Sequence, residues 1–319
     1  MKKFLPLFIY LFISCNTVDP ILEYQQKLIS DEVTGSNIFK LVKNGEVVYQ
    51  EIANSGKLGD KDINDETIFP IWSMSKPVTT VAMMILYDQG EFELNDNLSD
   101  YLPEYKNMMC QNEDLIEPCQ NQIKIIDLLT HRSGLGYYSD VYGTNNFISE
   151  PSPLFKYMNT YFYDDLNEFS LAVSKQTLEF EPGKHYYYGL NQDILGRVIE
   201  VITGKTFYEF LVENLFNPLE MSNTKFHLTL DDREKFQPLF INKMPDTPMN
   251  PSSNSLKGFT NELDQLSYSE ENKNYLGSGG LVSTFSDYSN FCQMLVNEGE
   301  FKGNQIISKE SFQLMLEKH

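Results

Sequence analysis

Two places in the chain set a hydroxyl and an amine three residues apart, a spacing that brings both onto one face of a helix. They are Ser73-Met-Ser-Lys76 and Ser222-Asn-Thr-Lys225. A serine becomes a nucleophile when its proton can leave, and a partly desolvated lysine can accept or relay that proton. A serine at a helix N-terminus gains further, because the first-turn N–H groups and the dipole favour developing negative charge. The spacing alone is a weak signal, so the flanking sequence decides between the two. After Ser73, the residues Val78, Val81, Ala82, Ile85 and Leu86 recur with helical period, and Gly90 supplies a stop. After Ser222, Phe226-His-Leu-Thr-Leu230 alternates like a short strand and cannot hold the two side chains together. Ser73 is the candidate nucleophile and Lys76 its partner.

The helix that carries them is apolar nearly all round once Met83 and Met84 are added, which predicts a central position in its domain. Pro77 is tolerable in the first turn, where amides have no intrahelical acceptor. Upstream, Ile38–Val42 and Glu46–Ile52 flank Lys43-Asn44-Gly45 and read as a hairpin, followed by a polar loop and Ile68-Phe-Pro-Ile-Trp72. Downstream, residues 95–125 look loop-rich, and Ile125–Leu129 is a short helical turn leading into Thr130-His-Arg-Ser-Gly-Leu135. The aromatic, polar stretch from Tyr137 to Tyr163 suggests a loose, substrate-facing insertion. Ile194, Leu195, Val198, Ile199 and Ile202 mark a second helix ending at Gly204, another follows near Phe207–Leu215, and residues 228–272 are polar and irregular. Gly277–Thr284 is a backbone-dense turn before a helix over Asp287–Val296.

The 319 residues suffice for a large core, and a hydrophobic fraction of 41% argues against disorder. A net charge of −20 makes nucleic acid an unsuitable partner, since phosphate backbones are held by clustered Lys and Arg. Lys2 and Lys3 precede the apolar run Phe4–Ile13, then Ser14 and Cys15, which describes an export signal too short to span a bilayer. Phe12-Ile-Ser-Cys15 resembles a bacterial lipobox, although Phe12 stands where Leu is usual. Cys15 is therefore the expected lipidation site, with residues 16–24 a tether and the chain anchored to the bacterial envelope. Cys110 and Cys119 flank a short polar loop, and an oxidising compartment would permit a disulfide between them. Cys292, in the apolar pattern Asn290-Phe-Cys-Gln-Met-Leu295, is expected as a buried thiol. No Cys/His spacing suits a zinc site, and no cofactor or metal is called for.

Thr67-Ile-Phe-Pro-Ile-Trp-Ser-Met-Ser-Lys-Pro-Val-Thr79 resembles the nucleophile segment of the serine beta-lactamase-like family, which includes class C beta-lactamases, family VIII esterases and low-molecular-weight penicillin-binding proteins. Further matches follow in the family's order. They are Asp127-Leu-Leu-Thr-His-Arg-Ser-Gly-Leu135, Pro182-Gly183 before Tyr188, Asp193–Glu200, Asn217-Pro-Leu-Glu-Met221 and Gly279-Gly-Leu-Val-Ser-Thr284. Six ordered segments are far more specific than any one of them. The family's second motif, Tyr-x-Asn or Tyr-x-Leu, falls by position on Tyr188-Gly-Leu190. The resemblance implies that Tyr188 is the general base and Leu190 faces the substrate, with Tyr186 and Tyr187 as adjacent alternatives for the phenol. Tyr105, Tyr157 and Tyr288 also match Tyr-x-Asn but lie out of order. His131 belongs to a segment that is largely architectural in the family. Gly134, Gly279 and Gly280 are expected to serve tight turns.

The third family motif, Lys/His/Trp-x-Gly on a sheet strand, lines the site and supplies an oxyanion N–H. No Lys, His or Trp after Tyr188 has Gly two positions on. The expected architecture is an α+β, beta-lactamase/transpeptidase-like fold over residues 25–319, an antiparallel sheet flanked by helices with a helical, loop-rich insertion at about 92–270, lacking the strands that would complete the sheet. The expected reaction is acyl transfer through Ser73, on small esters first and beta-lactams or D-Ala-D-Ala peptides second. The rival is a lipid-anchored binding protein that keeps the fold without the chemistry.

Overall fold

The computed structural model describes residues 19–57, 60–137, 163–237 and 268–318. Cys15 and the rest of the export signal lie outside them, as does Tyr157. Of the stretch from Tyr137 to Tyr163, only its two end residues are described.

Helix α1 (Pro20–Ser30) opens with Asp19 as its cap, whose carboxylate accepts from the Ile21 and Leu22 amides, and with proline at its first position. Residues 20–24, expected in a tether, are thus the first turns of a helix. Strands β1 (Asn37–Lys43) and β2 (Glu46–Ala53) form the expected hairpin. Its turn uses Asn44 and Gly45, both with positive φ, which the twist of a tight hairpin demands. β3 (Ile68–Pro70) runs into a single 3-10 turn, Trp72–Met74, and then into α2 (Ser75–Asp88). Ser73 therefore sits in the turn before the regular helix rather than at its first residue.

Val78, Val81, Ala82, Met83, Met84, Ile85 and Leu86 of α2 are all buried, as its all-round apolar sequence requires. Each large side chain removed from water this way contributes roughly 1.5–3 kcal/mol. Residues 95–125, read as loop, contain a small hairpin, β4 (Met109–Asn112) and β5 (Leu115–Pro118). Its ends are joined by a Cys110–Cys119 disulfide with Cα atoms 5.1 Å apart. Short helix α3 (Ile125–Leu129) leads to the 130–137 loop, and α4 (Leu166–Val173) packs on α5 (Asn191–Thr203). Helix α5 also packs against α2 and α3 and ends at Gly204, whose φ of 68° closes the helix.

Residues 226–230 do not form the expected strand. Thr229 instead caps a short helix, Leu230–Lys235, accepting from the Asp232 amide while Asp232 answers the Thr229 amide. β6 (Val282–Thr284) pairs antiparallel with β3, and α6 (Phe285–Val296) and α7 (Lys309–Leu316) follow. Cys292 is exposed, contrary to its expected burial, because α6 turns Phe291 and Met294 to the core and Cys292 lies off that face. Among the described residues the sheet component consists of four two-stranded antiparallel ladders, the last formed by Glu300–Phe301 and Asn304–Gln305.

Candidate active site

Three separate stretches of chain converge on Ser73. The first is its own turn. Trp72 takes φ 44°, a left-handed conformation that costs a non-glycine residue about 1–2 kcal/mol. The strain turns the chain sharply out of β3, leaving Ser73 exposed while Lys76, one turn on, is buried. Tyr288 of α6 donates to the Met74 carbonyl at 3.0 Å and steadies the turn from outside.

The second stretch is the 276–281 turn. Lys76 Nζ donates to the Ser278 carbonyl at 2.7 Å and to Ser73 Oγ at 3.3 Å. The Ser278 amide in turn donates to Asp193 Oδ1 of α5 at 2.8 Å, and Thr79 donates to the Gly277 carbonyl at 2.8 Å. A Cβ at Gly277 would fall 2.5 Å from the Gln192 carbonyl, so this turn can press between α2 and α5 only with glycine there. Gly280 is comparably tight, with a Cβ 2.9 Å from the Leu276 carbonyl.

The third stretch carries the phenol. Tyr188 Oη donates to Ser73 Oγ at 2.8 Å. Lys76 Nζ lies 4.6 Å from the Tyr188 ring centroid, and its charge acts on the phenol. Tyr186 and Tyr187 point elsewhere: Tyr186 packs edge-on against His131 and Tyr187 against Phe180. Tyr188 is thus the member of the cluster that the fold delivers to Ser73. Leu190, expected to face substrate, is instead fully buried at the start of α5 and belongs to the core.

His131 supports Tyr188 from behind. Its ring stacks on the Tyr188 ring at 5.0 Å and 21°, and its Nδ1 pairs with Asn191 Nδ2 at 2.9 Å. Ser133 donates to Asn191 Oδ1, completing a side-chain chain behind the phenol. The other Tyr-x-Asn matches within the described residues do different work. Tyr105 is buried and donates to the Ser170 carbonyl at 3.0 Å, and Tyr288 holds the Met74 turn. The rival Ser222/Lys225 pair is set aside by its surroundings, since Lys225 is ion-paired with Asp232 at 2.7 Å.

Burial pushes the Tyr188 phenol up, but its hydrogen bonds with Lys76 and Ser73 and the Lys76 charge outweigh it, so its pKa lies below the ordinary tyrosine value. Burial, with the Lys76 charge added, lowers His131 to about 4, so its imidazole is neutral at pH 7. Lys76 spends its hydrogen bonds on acceptors, and an ammonium has no lone pair. The group poised to take the Ser73 proton is therefore Tyr188, with Lys76 supplying positive charge beside it.

Comparison with known proteins identifies the family. Residues 34–317 match the Beta-lactamase family. The chain belongs to that family. An uncharacterized protein of Mycobacterium tuberculosis (strain CDC 1551 / Oshkosh) is 28% identical to this beta-lactamase-family chain over 285 residues, covering 86% of it and 64% of the relative. Esterase EstB of Burkholderia gladioli is 27% identical over 192 residues, covering 58% of the chain and 45% of the esterase. This family member thus spans less than two thirds of the length of either relative. Among solved structures, EstCE1, described as a hydrolase with promiscuous acyltransferase activity, superposes with a TM-score of 0.69 at 20% identity, covering 92% of this chain and 74% of its own. The beta-lactamase/transpeptidase-like fold follows from these matches.

Proposed function

We propose that the protein is an exported, lipid-anchored serine hydrolase that forms an acyl-enzyme at Ser73, with small esters as its main substrates. The observation that carries this reading is the contact of Ser73 Oγ with both Tyr188 Oη, at 2.8 Å, and Lys76 Nζ, at 3.3 Å. In the first half-reaction Ser73 Oγ attacks the substrate carbonyl carbon and its proton passes to the ionised Tyr188 oxygen. Collapse of the tetrahedral intermediate breaks the ester bond, and Tyr188 returns the proton to the departing alkoxide. Water then attacks the acyl-enzyme, giving a proton to Tyr188, and Ser73 recovers a proton from Tyr188 as its bond to the acyl carbon breaks.

Esters come before beta-lactams because Leu190 replaces the asparagine of the beta-lactamase form, and because an esterase is among the relatives. The anchor rests on the Lys2-Lys3 start, the short apolar run and Cys15. The second reading is an inactive binding protein of the same fold.

Exposure of the full chain to a fluorophosphonate and a labelled penicillin separates the two readings. A covalent adduct on Ser73 supports the hydrolase, and an unmodified Ser73 supports the binding protein. Short-chain p-nitrophenyl esters should then turn over faster than nitrocefin. Dominant nitrocefin hydrolysis would overturn the preference for esters.

A further inference from the structure

Tyr188 is not the only phenol at the site. The loop from His131 to Tyr137 and the segment Tyr187–Asn191 are tied together by backbone and side-chain hydrogen bonds. The Tyr187 amide donates to the His131 carbonyl at 2.8 Å, and Ser133 Oγ accepts from the Leu135 amide at 3.0 Å while donating to Asn191. A Cβ at Gly189 would sit 2.0 Å from the Leu135 carbonyl oxygen, so only glycine allows this approach. The close fit carries the Tyr137 ring to 6.0 Å from the Tyr188 ring, at an interplanar angle of 43°. Tyr137's hydroxyl is in hydrogen-bonding reach of both the Tyr188 hydroxyl and the Ser278 side chain. Ser278 is the same residue whose carbonyl receives Lys76.

We propose that Tyr137 is a positioning residue for the base, donating its hydroxyl hydrogen to the Tyr188 oxygen and holding that oxygen towards Ser73. This rests on the reading of Tyr188 as the proton acceptor. The two phenols are alike in chemistry and divided by their surroundings. Tyr188 faces the Lys76 ammonium, the neutral His131 ring and the Tyr137 hydroxyl. Tyr137 faces Tyr188 and Ser278, and the Asp193 carboxylate acts on it from α5. Burial, Asp193 and Tyr188 together hold the Tyr137 phenol above the ordinary range, so of the pair Tyr188 ionises and Tyr137 remains the donor. Ser278 Oγ, donating to Tyr137, extends the chain by one link. An ionised Tyr188 then collects donors from Lys76, Tyr137 and the Ser73 hydroxyl. Such an arrangement stabilises the phenolate and aims a lone pair at the nucleophile.

The test is the pH dependence of fluorophosphonate labelling at Ser73 in the wild-type chain and in Tyr137→Phe, which removes one oxygen and keeps the ring. Loss of the donor should raise the Tyr188 pKa, moving the acid limb of the labelling rate to higher pH by about one unit. Labelling below the limb should slow about tenfold, with the rate recovered above it. A limb that stays in place, whether the rate is unchanged or falls equally at every pH, overturns the proposal. The tyrosinate absorbance of wild type minus Tyr188→Phe gives the same titration without reference to labelling, and Tyr137→Phe should shift it likewise. A wild-type chain that never labels at Ser73 counts against the hydrolase reading itself, which keeps the two failures distinct.

Discussion

The two sides of Ser73 are built differently. On one side α2, α5 and the 276–281 turn enclose Lys76 with side chains that are fully or almost fully buried, among them Val81, Leu195 and Leu281. Every polar group that orients the site there is anchored in turn, Lys76 on Ser278 and Ser278 on Asp193. On the other side the β1–β2 hairpin faces α6 and β3 across an apolar groove of about 650 Å³, lined by Ile38, Val42, Phe69 and Val296 among others. Leu41, Val47 and Val48 of the hairpin are each about half exposed, and Val296 is 82% exposed. The contrast teaches that the proton-transfer apparatus draws its geometry from a packed helical core, and that the groove side holds it mainly through the bond of Tyr288 to the Met74 carbonyl.

Several substitutions can break or sharpen that contrast. The largest effect is expected at the nucleophile, where Ser73→Ala should remove fluorophosphonate labelling altogether and reduce ester hydrolysis by about a million-fold. A protein that keeps its esterase rate after this change would show that the chemistry lies elsewhere. Next comes the core behind the site. Leu195, with no exposed surface, should cost roughly 2–5 kcal/mol as Leu195→Ala in urea unfolding. Val296→Ala, across the groove, should cost less than about 0.5 kcal/mol. Equal costs would erase the distinction between the two sides.

His131 gives a pH test of the same core. Its pKa is depressed by burial from 6.5 to about 4, so between those values the unfolded chain binds the extra proton and the folded one does not. Its contribution to stability is complete above pH 6.5 and is lost as the pH falls towards 4, amounting to at most ~3 kcal/mol. The drop should shrink in His131→Gln, and a wild-type stability that stays flat between pH 7 and 4.5 would contradict it. A further structural effect concerns the β4–β5 hairpin, where the Cys110–Cys119 loop of separation 9 is short. Cys110→Ser with Cys119→Ser should lower stability by about 2–3 kcal/mol on chain-entropy grounds, without altering the rate of Ser73 labelling.

The parts of this design legible in sequence are those written in local pattern. The hairpin follows from Asn44-Gly45, and the burial of α2 from an apolar surface that leaves no polar stripe. Ser73 and Lys76 are readable because one helical turn brings them together. The order of the family motifs placed Tyr188. What escaped is what depends on long-range approach. The Ser278 carbonyl meets Lys76 across 202 residues of chain, and no periodicity reports it. Tyr137 looked like the start of an insertion, and only the glycine-dependent contact of Gly189 with Leu135 brings it beside Tyr188. Leu190 was misassigned because a family position was carried over without asking where an aliphatic side chain would go, and in this chain it went to the core. Cys292 failed in the opposite direction, since an apolar helical stretch does not say which of its residues faces inward.

The most direct measurement is the rate of fluorophosphonate labelling at Ser73 in Tyr186→Phe, Tyr187→Phe and Tyr188→Phe, read peptide by peptide in a mass spectrometer. Proton transfer through Tyr188 predicts a fall of about a hundred- to ten-thousand-fold for Tyr188→Phe and changes of less than about threefold for its two neighbours. A Tyr188→Phe protein that labels at the wild-type rate would contradict it.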